Sequence, residues 1–258
     1  MEERALPGGI ASAGAVVRVG DSVYRPGGPN AAVVRDFLSH LASAGFTAAP
    51  RVLGTAPDGR EVLSFEPGAV AVPPFPDWAA GEELLVSVAE LQRSLHEAAA
   101  GWAPVGVLDG RELPPEGRGG LMCHLDLCLE NTVVRDGRAA AFIDFDLARP
   151  AERLYDIAIA VRHWIPLRDP ADIADARAGL DQAARFRAFT DVHGLGEAGR
   201  GRVLELLAVF LADALDSVGE AARAGHPGFA EMWAGGYEAM NARSREWLRR
   251  AGARLIGA

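Results

Sequence analysis

Two short blocks of this chain carry side chains that could do chemistry together. The first is His124-Leu125-Asp126-Leu127-Cys128-Leu129-Glu130-Asn131, and the second is Ile143-Asp144-Phe145-Asp146. A carboxylate such as Asp126 can orient a hydroxyl and take up its proton. The amide oxygen of Asn131 and the carboxylate of Asp144 are ligands that suit Mg²⁺, a hard cation that wants oxygen in near-octahedral array. These are the needs of phosphoryl transfer from a nucleoside triphosphate to a hydroxyl. The transition state of that reaction is loose, so a protein must position the reactants and neutralise charge.

The residues between the blocks can bring them together. Thr132-Val133-Val134 and Ala140 to Ile143 are short and apolar, and Arg135-Asp136-Gly137-Arg138 lies between them. Asp-Gly is a strong hairpin signal because both central residues of the favoured turn need positive φ. Asn131 then enters one strand and Asp144 leaves its partner, which puts both ligands at one mouth. An isolated His-x-Asp could equally be a turn with a capping carboxylate. The registered Asn131, the hairpin and the Ile-Asp-Phe-Asp exit favour the catalytic reading.

Composition narrows the partners. The chain has 258 residues, 49% hydrophobic and 24% charged, with a net charge of −9. That is enough for one large domain or two modest lobes with a core. The negative charge argues against nucleic acid, which wants a basic face. It suits either steering of a cationic small substrate or plain solubility. No apolar run reaches the length of a membrane span, and Met1-Glu2-Glu3-Arg4 does not open a secretion signal. The two cysteines, Cys123 and Cys128, flank the proposed base, which fits a reduced cytoplasm better than a disulfide. The chain holds no lysine: all 26 of its Lys+Arg residues are arginine. With its heavy Ala and Gly use, this suggests a high-GC genome.

The order of elements is also informative. Residues 7–25 read as strand, Gly/Ser loop, strand, turn and strand, and Pro26 ends the unit. A loop such as Gly8-Gly9-Ile10-Ala11-Ser12 can offer backbone N–H groups to phosphates, although a plain turn is the commoner use. Asn30 is placed to cap a helix through about Ala44, with Val33, Val34, Phe37, Leu38 and Leu41 on one face. Strands follow at 50–54 and 61–65. A Pro-rich connection at 69–79 leads to a helix over Glu82 to Ala99. Residues 106–119 read as loop, a helix begins near Tyr155, and further helical patterns run over 171–191, 197–223 and 228–251.

The chain resembles the aminoglycoside phosphotransferase family, a group of small-molecule kinases of protein-kinase-like fold. The strongest part runs from Cys123 to Ala158, with His-x-Asp-Leu-x-x-x-Asn, Ile-Asp-Phe-Asp and Asp-Ile-Ala. The segment from Gly8-Gly9 to Leu63-Ser64-Phe65-Glu66-Pro67-Gly68 and the Leu95-His96 pair resemble actinobacterial members. The resemblance implies an α+β, two-lobed fold. Residues 1–68 form a small antiparallel-sheet N-lobe with the hinge, and residues 69–258 form a mostly helical C-lobe.

It also implies roles. Asp126 matches the catalytic base and His124 the histidine that holds its loop. Asn131 and Asp144 match the Mg²⁺ ligands. Asp156 matches a buried Asp that braces the loop. Ser64 and Glu66 match hinge positions that meet adenine, and Gly9 and Ser12 match the phosphate loop. The strand lysine of kinases is missing. Arg25, or failing that Arg18, is the candidate to replace it, although Arg and Lys are not interchangeable. The helix from residue 30 offers no Glu to pair with that cation; Asp36 is the nearest substitute. Leu125 stands where phosphorylation-regulated kinases carry Arg, which implies no such switch. Asp146 either adds a metal contact or helps bind a cationic substrate, and Glu130 is placed on the acceptor side, with Glu152 a weaker candidate. Trp164, Trp233 and Tyr237 either line the acceptor pocket or pack in the core.

The implied activity is ATP- or GTP-dependent transfer to a hydroxyl of a small molecule, an antibiotic first. A metabolic kinase for a sugar, amino alcohol or nucleoside is the alternative, and a non-catalytic nucleotide-binding module the third reading. A monomer and a homodimer are both open.

Overall fold

Short alternating segments near the N-terminus pair into an antiparallel sheet of five strands in the computed structural model, which describes residues 3–6, 16–102, 107–108, 111–112, 120–173 and 176–257. The strands are β1 (Arg4–Ala5), β2 (Val17–Val19), β3 (Ser22–Arg25), β4 (Val52–Thr55) and β5 (Glu61–Ser64), in the order β1-β2-β3-β5-β4. The β3–β5 register sets Ser22 opposite Ser64 and Arg25 opposite Glu61. Gly9 and Ser12 lie outside the described residues.

Helix α1 (Ala31–Ser43) buries the expected face of Val33, Val34, Phe37, Leu38 and Leu41. Its start departs from expectation. Asn30 sits at the cap position but its side chain makes no capping hydrogen bond. The first turn closes through the backbone instead, from the Ala31 N–H to the Gly28 carbonyl and from the Val34 N–H to the Asn30 carbonyl. The helix stops where Gly45 takes φ 83 and the N–H groups of Gly45 and Phe46 bond back to Ala42 and Leu41. This double return satisfies carbonyls that would otherwise be orphaned at the helix end.

By packing, the chain divides into two units, Met1–Val70 with Leu91–Arg153, and Ala71–Glu90 with Leu154–Ala258. The segment with the two motif blocks therefore groups with the sheet rather than with the helices that follow it in sequence. Helix α2 (Glu82–Ala99) contributes residues to both units. Between α2 and the loop segment, residues 106–119 are not all loop: β6 (Val107–Leu108) pairs with β7 (Arg111–Glu112). Asp109-Gly110 between them is the hairpin signal that the Gly/Pro-rich surroundings hid.

Within the first unit, β8 (Leu121–Cys123) pairs with β11 (Arg149–Ala151) and closes both ends of the segment that holds the two motif blocks. Inside that closure, β9 (Thr132–Arg135) and β10 (Arg138–Phe142) form the expected hairpin. Asp136 at φ 50 and Gly137 at φ 76 make its turn. The chain just after Gly68 is pinned to this hairpin: Ala69 exchanges both backbone hydrogen bonds with Val134, at 2.9 and 2.7 Å. Gly68 makes the approach possible. It holds φ 148, and a Cβ there would lie 2.5 Å from Val133 Cγ1 and 2.7 Å from the Val134 carbonyl oxygen. Gly68→Ala is expected to cost at least about 2 kcal/mol, from clash plus strained backbone. Denaturant unfolding measures this; a loss below about 0.5 kcal/mol, ordinary for a surface change, would contradict it.

The second unit is helical: α3 (Arg153–Trp164), α4 (Gln182–Val192), α5 (Glu197–Arg223), α6 (Pro227–Ala234) and α7 (Tyr237–Ile256). Two expected helices are cut short. The one over 171–191 begins only at Gln182, where Asp181 accepts from the Ala183 and Ala184 N–H groups. The one over 228–251 is broken at Gly235-Gly236, with Gly236 at φ 88. No helix among the described residues is long and apolar enough to cross a membrane.

This unit also buries charge at a cost. Arg162 on α3 is 6% exposed, and its Nη1 has no hydrogen-bond partner among the described residues. Burial, with Arg168 and Arg177 nearby, pushes its guanidinium down to about 9. The folded value lies below the unfolded one, so the penalty is complete below about pH 9 and lifts as pH rises above it. Arg162→Met, which keeps the length and removes the charge, is expected to gain about 1–4 kcal/mol at pH 7. The gap to wild type should narrow at pH 10. Thermal midpoints at the two pH values check this, and a lower midpoint for the variant at pH 7 would contradict it.

Candidate active site

The loop from residue 124 to 131 is held from inside by its histidine. His124 is fully buried, so it cannot touch a reactant. Its Nδ1 accepts the Asp126 N–H at 3.2 Å, and its Nε2 lies 3.0 Å from the Ile143 carbonyl oxygen. Those two partners fix the neutral tautomer with the proton on Nε2. The ring also packs on Phe145, with centroids 4.4 Å apart. His124 thus ties the loop to the strand that delivers Asp144.

The backbone around it is strained in two places. Leu125 has φ 60 and Asp144 has φ 62. The left-handed region costs a residue with a Cβ roughly 1–2 kcal/mol, and Leu has no polar side chain to compensate.

Asp126 and Asn131 meet at the mouth of the loop. The Asn131 amide nitrogen donates to Asp126 Oδ2 at 2.8 Å and to the Asp126 carbonyl at 3.0 Å. Both bonds use the nitrogen, so neither spends the amide oxygen, the atom a hard cation takes. The Ile143 N–H donates to the Asn131 carbonyl at 2.9 Å, and the hairpin brings Asn131 and Asp144 to the same end as its register requires. Burial pushes Asp126 up to about 7. Asp144 and Glu130 add to this, and the Asn131 hydrogen bond opposes it. A strongly shifted carboxyl among other carboxylates is a frequent mark of a functional site. Negative charge gathered beside an amide oxygen is a donor set that fits Mg²⁺.

Arg25 comes to this cluster from β3. It is 9% exposed. Its Nε bonds to Glu61 Oε2 at 3.2 Å, Nη1 lies 3.4 Å from Asp144 Oδ1, and Nη2 lies 2.6 Å from Asp146 Oδ1. Burial works against the charged guanidinium, but Asp146, Glu61 and Asp144 outweigh it and hold Arg25 above its ordinary value. Arg18 is engaged elsewhere: its Nε donates to the Gly20 carbonyl and its guanidinium lies 3.6 Å over the Phe65 ring. Asp36 does not partner Arg25 either, since it accepts from the Trp102 indole at 3.0 Å.

Glu61 is the residue that the sequence reading missed. It is 2% exposed, and its other oxygen accepts from Arg35 Nη1 of α1 at 3.0 Å. The helix therefore supplies a cation, and the carboxylate comes from the neighbouring strand.

The remaining candidates are more dispersed. The Ser64 N–H donates to the Arg51 carbonyl, and its hydroxyl accepts from the Arg51 N–H and donates to Glu66 Oε1 at 2.9 Å. Ser64 is thus committed within the sheet, and its N–H is already taken. Glu130 is partly buried and adds to the field at Asp126. Cys123 and Cys128 form no disulfide. Asp156 is fully buried in the first turn of α3, and Trp164 is likewise core. Glu152 is exposed.

Comparison with known proteins places the chain in a family. Residues 108–190 match the model of a phosphotransferase enzyme family. The trifolitoxin immunity protein of Rhizobium leguminosarum bv. trifolii is 34% identical over 244 residues, covering 90% of each chain. Among solved structures, a choline/ethanolamine kinase family protein from Mesorhizobium loti superposes with a TM-score of 0.65 at 20% identity, over 100% of this chain and 93% of that one. A macrolide 2′-phosphotransferase from Brachybacterium faecium gives 0.55 at 17% identity, over 95% and 91%. The fold is the two-lobed, α+β, protein-kinase-like one. The extent of the match to a relative at 34% identity and the motif-bearing segment from 108 to 190 lead to one assignment: the chain belongs to the phosphotransferase enzyme family, the aminoglycoside phosphotransferases and their kin.

Proposed function

We propose that the protein transfers the γ-phosphoryl group of ATP or GTP to a hydroxyl of a small molecule, and that the molecule is an antibiotic. The observation that carries the reaction is the convergence of Asp126, Asn131 and Asp144 with a buried cation, Arg25. Asp126 orients the acceptor hydroxyl and receives its proton. Asn131 and Asp144 are the residues that would hold Mg²⁺, which when bound supplies positive charge to the triphosphate oxygens. Arg25 neutralises the same oxygens from the sheet side, where two terminal nitrogens can address phosphate in parallel. Glu130 faces the acceptor, and Asp146, two residues after Asp144, adds a contact to the metal. The donor nucleotides and the absence of a membrane-crossing helix among the described residues suit a cytoplasmic enzyme.

The antibiotic acceptor draws support from the immunity role in the relative's description. The likeness to a choline/ethanolamine kinase family protein favours a second acceptor class, an amino alcohol, with the same mechanism. Nucleoside diphosphate release, measured with Mg²⁺, ATP or GTP and a panel of toxins, antibiotics and amino alcohols, separates them. Stimulation by an antimicrobial compound is the expected result. Stimulation by amino alcohols alone would transfer the assignment to the second class.

A further inference from the structure

Every nitrogen of Arg25 has its own carboxylate: Glu61 on Nε, Asp144 on Nη1 and Asp146 on Nη2. The three partners are not equivalent. Glu61 is 2% exposed, faces Arg25 across the β3–β5 ladder and is held from behind by Arg35. The side chains of Asp144 and Asp146 are 36% and 46% exposed, so incoming ions can reach them. Nε is therefore the fixed end of the guanidinium and Nη1 and Nη2 the exchangeable end. A lysine, with a single nitrogen on a flexible stem, could not be both at once.

We propose that Glu61 is the positioning residue of the phosphate-binding cation: it anchors Arg25 by Nε, so that Nη1 and Nη2 neutralise Asp144 and Asp146 in the nucleotide-free protein and pass to the triphosphate once a divalent cation takes those carboxylates. The proposal rests on the phosphotransferase reading and adds to it a competition between a side chain and a metal for the same two carboxylates. Arg35 holds Glu61 in place from behind, which reverses the usual polarity in which a helix supplies the acid.

The competition has opposite signs for two ligands. Mn²⁺ alone must displace Arg25, whereas Mn²⁺ with a non-hydrolysable triphosphate analogue recruits it. Titrations followed by the free Mn²⁺ resonance and by calorimetry read both affinities without turnover. Arg25→Met is expected to bind Mn²⁺ alone several-fold more tightly and the Mn²⁺–nucleotide about tenfold more weakly, the scale of a charge-assisted hydrogen bond. Glu61→Gln should weaken the Mn²⁺–nucleotide by a similar factor without tightening Mn²⁺ alone, and Glu61→Asp should recover part of the loss. Thermal melts confirm that each variant is folded, and Glu61→Asp, whose shorter carboxylate should weaken the Mn²⁺–nucleotide, carries the positioning test if Glu61→Gln is not folded. Weaker binding of both ligands by Arg25→Met would overturn the competition. Wild-type nucleotide affinity in folded Glu61→Gln would overturn the positioning role. A wild-type protein that binds no Mn²⁺–nucleotide would instead overturn the phosphotransferase reading itself.

Discussion

Asp126→Ala is expected to lower turnover by about a thousandfold, within the range that a positioned base contributes, while Mg²⁺–nucleotide binding stays near the wild-type value. Asp126 is tied to the loop by the Asn131 amide and by the His124 bond to its own N–H, so its carboxylate is presented at a fixed point. The Asn131 amide also donates to the Asp126 carbonyl oxygen, a bond that alanine preserves. The proposed metal-ligand positions therefore survive the substitution, and the loss falls on the chemical step. Equal losses in turnover and in nucleotide affinity would show that Asp126 binds rather than reacts.

Asp144→Asn is expected to weaken the Mg²⁺–nucleotide complex and to lower turnover by at least about a hundredfold, because a metal and its ligand supply several kcal/mol of charge stabilisation. Asparagine is the informative replacement here. Asp144 sits at φ 62, a region that Asn tolerates and Ala does not. Asn therefore removes the charge and keeps the backbone, whereas Ala would mix the two effects. The variant also frees Arg25 Nη1 from one carboxylate. Dependence of turnover on Mg²⁺ concentration is the readout, and an unchanged dependence would remove Asp144 from the metal site.

Much of the candidate site was legible because its residues are close in sequence and each is chemically demanding. Asp126 and Asn131 sit on one loop, and Asp136-Gly137 announces the hairpin that returns the chain to Asp144. Family resemblance added the loop-holding role of His124, and the geometry gives that role a physical form. Helix α1 was legible from the spacing of its five buried residues.

Glu61 was not legible in the same way. Its partner Arg25 is 36 residues away, and the link is a strand register that a single sequence leaves open. A search along the helix from residue 30 led to Asp36, because helical spacing is readable and strand pairing is not. One signal was present: a charged residue opens an apolar strand, and an arginine closes the strand that would pair with it. The same difficulty of scale affected the helices. Local periodicity continued across 228–251, but Gly235-Gly236 gives the backbone a left-handed exit that the apolar pattern does not record. At residue 182 the start is set by the Asp181 cap rather than by periodicity.

The most direct measurement follows a label from the γ-phosphoryl group of ATP or GTP into the acceptor that stimulates nucleoside diphosphate release. The account predicts that label and a mass gain of one phosphate appear on that small molecule with the wild-type protein and vanish with Asp126→Ala. Label that goes only to inorganic phosphate, or that reaches the acceptor equally well with Asp126→Ala, would contradict it.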